Sequence, residues 1–431
     1  MILVVGGGLA GLSAAHELEK AGRDYLLIEK EKKTGGLCRS FQVKGYTFDY
    51  SGHLLCVKDE GVLEWIQDLL DGQISFFERR ASIYVEGSWV PYPFQANLGF
   101  LPQKAMAECL ADFLKQAATG GPASASNEED LGSWLVSTFG EAICEYFFVP
   151  YNEKLFGRSL KELVPQGIEW SIPRPSIEGV INGAFGATNE KLGYNATFHY
   201  PRNGGIEEIP KAIASRLKSV RFSCDLKKVR WPERKALLGD GKEVEYEAMI
   251  STAPLPELLT LLDPSPPWAN RGVKALKWVS VWVLNLGVRR QGVSDQHWIY
   301  FPEREFPFFR VGCYSAFGPH LVPAGCSSLY VEIPGHTVNQ MGEENCIRET
   351  LHALVRCGIL RSAGEVEVVF PLEIPVAYVI HDRERLQLLP TILDQLQEWG
   401  IHCAGRYGSW GYGTMEDAII QGREVASRLL K

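Results

Sequence analysis

Residues 2–29, ILVVGGGLAGLSAAHELEKAGRDYLLIE, constrain the fold more than any other stretch of the chain. An apolar, mostly β-branched run, Ile2 to Val5, leads into Gly6, Gly8 and Gly11. An Ala/Leu/Glu pattern of helical period follows, and a second apolar run, Tyr25 to Ile28, ends in Glu29. This order predicts a strand–helix–strand unit that binds a dinucleotide. Gly6 permits the tight turn, Gly8 lets the backbone approach a pyrophosphate, and Gly11 lets helix and strand pack closely. The pyrophosphate is expected on the free N–H groups at the helix start, where the helix dipole favours negative charge. Glu29, 18 residues after Gly11, is placed to accept hydrogen bonds from a ribose.

The rest of the composition narrows the class. At 431 residues the chain exceeds the usual size of a single core, so two or three interwoven domains are expected. A net charge of −8, without a basic stripe, argues against nucleic-acid binding. The ten cysteines form no CxxC and no His/Cys cluster, so they read as reduced, mostly buried thiols, with no metal site expected. The chain starts on a core strand, which leaves no room for a signal peptide, and no apolar run approaches the ~20 residues of a membrane helix. A soluble, cytoplasmic protein without a membrane span is expected, with its oligomeric state left open.

The dinucleotide site recurs along the chain. Glu29 is followed by KEKKTGGLCRS, with the doublet Gly35-Gly36, and GRYGSWGYGTMEDAIIQG lies near the C-terminus. The glycine pair resembles the loop that closes over FAD in flavoproteins of the amine oxidase and mutase superfamily. By the same resemblance the late segment places Arg406, Thr414 and Met415 at the cofactor, with a helix N-terminus facing the flavin pyrimidine. Residues 204–255 read as a helix (Ile206 to Leu217), a strand near Arg221, a polar hairpin and the strand AMISTAPL. In that hairpin Val229 would lie beside the adenine. The expected fold is α/β: a discontinuous Rossmann-like FAD-binding domain (1–80, 200–270 and 381–431), a helical insertion (98–190) and an antiparallel substrate-binding sheet (81–97 and 271–380). Residues 118–130, ATGGPASASNEED, read as a mobile surface loop between two helices.

The middle segments carry a more specific likeness. SGHLL (51–55), WVPYPFQANLGFLP (89–102), FFVPYNEKLFG (147–157), GYNATFHYPRNGG (193–205), HWIYFPEREFPFFR (297–310) and GRYGSWGY (405–412) occur in order. Hydrogen-bonding residues set among Trp, Phe and Pro suit the stacking of a base and the reading of its edge. Arg310 follows the apolar run FPFF, so it either pairs with an internal carboxylate or waits for an anion. Together the segments resemble UDP-galactopyranose mutases, particularly the eukaryotic-type branch. That resemblance implies that Tyr92, Gln95, Asn195 and Tyr300 hold a uridine, with Phe147 and Asn152 near it. Arg310, Tyr378 and Tyr412 would contact the diphosphate, and His53 would sit beside the flavin. It further implies non-covalent FAD, active when reduced, with NAD(P)H as a possible reductant. The flavin N5 would serve as nucleophile toward a UDP-sugar or similar substrate.

Three positions depart from the pattern. Ser171 stands where the second diphosphate arginine is usual, with Arg174 as its replacement if the loop is shifted. Phe156 replaces a tryptophan, and Cys56 replaces an aromatic that faces the base. Losing one charge-assisted phosphate contact costs roughly 1.5–3 kcal/mol. Two other readings share the same FAD segments: an oxidoreductase of amine oxidase or protoporphyrinogen oxidase type, and a non-catalytic nucleotide-sugar-binding homologue.

Overall fold

A computed structural model describes residues 1–119, 129–187 and 191–431; residues 120–128 of the expected surface loop lie outside the described residues. A five-stranded parallel sheet is built from chain segments far apart in sequence. Its spatial order is Ile401–Cys403, Ala248–Ser251, Ile2–Val5, Tyr25–Ile28 and Val220–Arg221. The strand Ile2–Val5 is central and buried on both faces, which explains its unbroken apolar run. The first helix, Leu9–Lys20, packs on this sheet and against the last helix, Met415–Leu429. A Cβ added at Gly11 would lie 1.9 Å from the Gly6 carbonyl oxygen, so only glycine permits this turn from strand into helix.

The helix foreseen over Ile206 to Leu217 is shorter, Glu208–Ala214. Its lead-in is held elsewhere: Ile206 N–H donates to Asp49 Oδ1 (3.3 Å) and Glu207 N–H to Ser40 Oγ (3.2 Å). Those two side chains bind the amides in place of a further helical turn. The polar hairpin is present, pairing Leu226–Arg230 with Lys235–Leu238.

A seven-stranded sheet runs in the order Val366–Val379, Trp278–Val288, Ser327–Pro334, Arg310–Cys313, Trp298–Tyr300, Ala81–Val85 and Ser88–Pro91. Its pairs are antiparallel except Trp298–Tyr300 against Ala81–Val85, which is parallel. The antiparallel register sets Arg310 opposite Glu332 on one side and Tyr300 on the other. The helices Gln103–Ala118, Leu131–Phe139, Val149–Phe156 and Ile177–Ala184 form the helical region, and Val149–Phe156 packs on the strand Ser327–Pro334 of the second sheet. A π-helical turn, Cys144–Phe148, enters the third of these, a local irregularity often found beside functional sites. Lys154 fastens that helix to the second sheet by donating to the carbonyls of Phe301 (2.8 Å), Phe308 (3.1 Å) and Glu303.

Candidate functional site

The seven-stranded sheet, the helical region, the loop after the first glycine segments and the C-terminal segment meet around a cavity of about 270 Å³. His53 reaches it from the loop after the first glycine segments, and Arg406, Tyr412, Thr414 and Met415 reach it from the C-terminal segment. The helix Val149–Phe156 and the turn before it supply Phe147, Tyr151, Asn152 and Phe156. The second sheet supplies Tyr300, Arg310, Tyr330 and Tyr378, while Tyr92, Tyr194 and Asn195 come from the adjoining loops. Cys56 and Ser171, two of the departures from the family pattern, also line it.

The glycine segments form a cradle next to this cavity. Gly35 and Gly36 adopt φ of +121° and +58°, and a Cβ on Gly36 would stand 3.3 Å from the Gly8 Cα. The two loops therefore approach closely, and the positive φ at both positions favours glycine there. The first helix begins at Gly8 with no side-chain cap, so its leading N–H groups remain open to an anion. Glu29 is buried at the strand end, where its Oε2 accepts from Gly7 N–H (2.7 Å) and its Oε1 from Glu31 N–H (2.8 Å). Each oxygen keeps a further lone pair. Val229 is buried in the hairpin sheet, paired with Ala236 and Leu262. The last helix differs from the first. Thr414 and Asp417 form a capping box, with Asp417 accepting from Thr414 N–H at 2.7 Å, so part of that N-terminus is satisfied internally.

Three of the lining residues, His53, Trp298 and Arg406, carry a buried polar atom with no partner. His53 Nδ1 and Arg406 Nε are buried and unbonded. Burial, reinforced by the Arg406 charge, pulls the His53 pKa down to about 4, so its imidazole is neutral at ordinary pH. The Arg406 guanidinium donates to Gly413 O and Ala377 O (3.1 Å each) and lies 4.6 Å from the Tyr412 ring and 5.4 Å from that of Tyr378. Among the described residues it makes no ion pair. An uncompensated cation, a neutral imidazole and a glycine cradle fit an anionic, ring-bearing cofactor such as a flavin dinucleotide.

Arg310 is already paired. It forms a two-pronged ion pair with Glu332, Nη2 to Oε1 at 2.8 Å and Nε to Oε2, and its Nη2 also lies 3.4 Å from the Tyr378 hydroxyl. Glu332 is buried and accepts a further hydrogen bond from Ser51. Of the two fates open to this arginine in the sequence, the structure has the internal carboxylate. The tyrosines around it are aromatic wall and neutral donor at once. Burial holds the hydroxyls of Tyr92, Tyr151, Tyr194 and Tyr378 protonated. Tyr92 packs on Tyr300 (5.2 Å between centroids), and Tyr151 packs edge-on to Tyr300 (5.4 Å).

Two residues, Gln95 expected at the uridine and Arg174 expected at the diphosphate, lie outside the cavity lining. Gln95 is buried outside the cavity lining and donates to the Pro173 carbonyl, anchoring the neighbouring loop. Arg174 is exposed, with its guanidinium 5.0 Å from the Trp134 ring. It does not take the place left by Ser171, whose hydroxyl donates to Ile168 O (2.7 Å). Tyr151, Tyr194, Tyr330, Glu332 and Arg79 were not singled out in the sequence. Tyr151 and Tyr194 adjoin assigned asparagines, and Glu332 is an acid inside the apolar run SSLYVEI, so a signal for these was present.

Family models match residues 124–430 as flavin containing amine oxidoreductase and residues 4–71 as an NAD(P)-binding Rossmann-like domain. A crystal structure of reduced UDP-galactopyranose mutase superposes with a TM-score of 0.88 at 25% identity, covering 100% of this chain and 95% of that one. By sequence the chain is 20% identical over 228 residues to UDP-galactopyranose mutase of Mycoplasma pneumoniae (strain ATCC 29342 / M129 / Subtype 1), spanning 52% of this chain and 54% of that protein. It is 37% identical over 87 residues to an inactive all-trans-retinol 13,14-reductase of Danio rerio, 19% of this chain and 14% of that one. The chain thus spans about half or less of the length of these two curated relatives. It belongs to the flavin containing amine oxidoreductase family and has the fold of its FAD enzymes.

Proposed function

We propose that this flavin containing amine oxidoreductase is a sugar-nucleotide mutase of the UDP-galactopyranose/UDP-galactofuranose type that binds FAD non-covalently. The reading rests on one conjunction. A tyrosine-walled cavity with two guanidiniums abuts the flavin cradle, in a chain that superposes over its whole length on a reduced UDP-galactopyranose mutase. Gly8, Glu29, Gly36, Arg406 and the start of the last helix would hold the cofactor. Bound and reduced, the flavin would supply a ring nucleophile.

The chain's own side chains offer no substitute for that nucleophile. Burial raises the Cys56 thiol to about 12, so it is not a thiolate, and Ser171 is committed to a backbone carbonyl without an adjacent base. What these residues do is bind and orient. Tyr92, Phe147 and Tyr300 stack the base. Arg310 and the hydroxyls of Tyr378 and Tyr412 meet the diphosphate, and His53 offers a neutral hydrogen-bonding edge at the sugar end.

One observation favours a second reading. With Arg310 neutralised by Glu332 and no arginine at residue 171, the diphosphate would meet less positive charge than the sequence resemblance implies. A hydride-abstracting oxidoreductase would tolerate that. Incubation of the flavin-loaded, chemically reduced protein with UDP-galactopyranose, followed by chromatography of the sugar nucleotides, separates the two. Formation of the furanose isomer only after reduction is expected. Hydrogen peroxide release from an amine or polycyclic substrate, with no ring-contracted product, would put the oxidoreductase reading first.

A further inference from the structure

Arg385 is a buried cation that the cavity itself does not use. It lies in the first turn of the helix Arg383–Glu398, where the helix dipole disfavours positive charge, and it is only 7% exposed. Among the described residues its guanidinium makes no ion pair. Asp382, just before that helix, is engaged by Lys277 Nζ (2.8 Å) and by the Arg385 N–H (2.8 Å). Burial lowers the Arg385 pKa to about 10, so the charge persists at ordinary pH.

What the guanidinium binds is a single backbone oxygen. Its Nε (3.0 Å) and Nη2 (2.5 Å) both donate to the Trp410 carbonyl. The N–H of the same peptide unit, that of Gly411, donates to Arg406 O at 3.0 Å. A peptide unit is planar, so bonds at its two ends fix its orientation. Trp410 has a φ of +51°, rare for a bulky side chain, and Gly411 after it has no Cβ to limit its rotation. The chain therefore needs an outside hold to keep this turn. The residue that follows the pinned unit is Tyr412, which lines the cavity with its ring 4.6 Å from the Arg406 guanidinium. Arg385 is not part of the cavity lining.

We propose that Arg385 is a positioning residue for the anion end of the cavity: by pinning the Trp410–Gly411 peptide it holds Tyr412 where its hydroxyl meets a diphosphate. Without the guanidinium the Trp410 carbonyl is a buried acceptor that has lost its donors, and the peptide turns to find others, redirecting Tyr412. The inference rests on the sugar-nucleotide reading above and adds to it a residue outside the cavity on which the diphosphate contact depends.

Isothermal titration of FAD-loaded variants with UDP, set beside their affinity for FAD, tests it. Arg385→Met removes the donors and keeps an apolar stem. Its Kd for UDP should rise at least about tenfold while its Kd for FAD stays within about threefold of the parent's. Arg385→Lys, able to give one N–H to the same carbonyl, should fall between parent and Arg385→Met. In a Tyr412→Ala background the residue to be placed is gone, so Arg385→Met should weaken UDP by less than about threefold more. The unfolding midpoint reports whether each variant is folded. If Arg385→Met is not, Arg385→Lys decides alone, with a rise in the UDP Kd of about threefold or more that disappears in Tyr412→Ala. An unchanged UDP Kd in the folded variants, UDP and FAD affinities that fall by the same factor, or an undiminished effect in Tyr412→Ala overturns the inference and leaves the sugar-nucleotide reading standing. A parent that holds FAD but does not bind UDP overturns that reading, and this inference with it.

Discussion

Arg310 shows how much one residue's meaning depends on a partner remote in sequence. Read along the chain, it is a cation after FPFF; folded, it faces Glu332 across two antiparallel strands. The pair is buried enough that removing one member exposes the other to a full desolvation cost. Arg310→Ala should therefore destabilise the protein by about 3–5 kcal/mol, and lost turnover in that variant would not by itself identify a ligand contact. The double change Arg310→Met with Glu332→Leu removes both charges and fills the space. It should recover most of the unfolding midpoint while UDP binding stays weakened by at least about tenfold. Recovery of UDP affinity along with stability would mean that the guanidinium is purely structural. Glu332→Gln, which leaves the guanidinium uncompensated, should instead tighten UDP.

At the scale of elements, the parts that were legible are those where a close backbone approach or a positive φ calls for glycine. Gly11 is demanded by the Gly6 carbonyl and Gly36 is favoured by its φ of +58° close to Gly8, so the glycine spacing announced the turns that make the cradle. The helix after residue 204 was read too long because its start is decided by side chains remote in sequence. Asp49 is the chief of these. It lies on the strand Tyr46–Asp49 and is fully buried, accepting from Ser40 Oγ and Tyr200 Oη (2.6 Å each) and from Ile206 N–H. Burial outweighs these donors and raises its carboxyl from 3.8 to about 6. A raised folded-state pKa means that the native state holds the proton longer than the unfolded chain does. Its stabilising contribution is complete below about pH 4 and is lost as pH rises to about 6, on the order of 3 kcal/mol in all. Asp49→Asn has no proton to lose, so its unfolding midpoint should gain on the parent's across that interval. A difference between the two that stays constant from pH 4 to 7 would show that Asp49 is not the titrating group.

For the molecule as a whole, the fold class could be read from short local patterns, but the site could not be completed from them. The cavity takes residues from the seven-stranded sheet, the helical region, the loop at 52–56 and the C-terminal segment, and the contacts that tune it join residues remote in sequence: Arg310 to Glu332, Arg79 to Asn195, and Lys154 to the 301–308 loop. No spacing rule links such residues, and Arg174, three positions from Ser171, falls on Trp134 because Gln95 ties the intervening loop down. This convergence has a thermodynamic consequence. The cradle joins the segment around Gly8, the loop at Gly36 and the C-terminal segment, so a flavin held there should stabilise the parallel sheet and its covering helices together. Protein stripped of flavin and titrated with FAD should turn yellow and unfold in one transition that shifts upward. At FAD about 100-fold above its Kd the gain is about 2.7 kcal/mol, which for a chain of this length raises the midpoint by roughly 3 °C. Gly36→Val puts a side chain against the Gly8 backbone and should abolish the shift while leaving the flavin-free midpoint within about 2 °C of the parent's. An FAD-dependent shift that persists undiminished in Gly36→Val would place the flavin outside this cradle, and with it every role assigned to the cavity beside it.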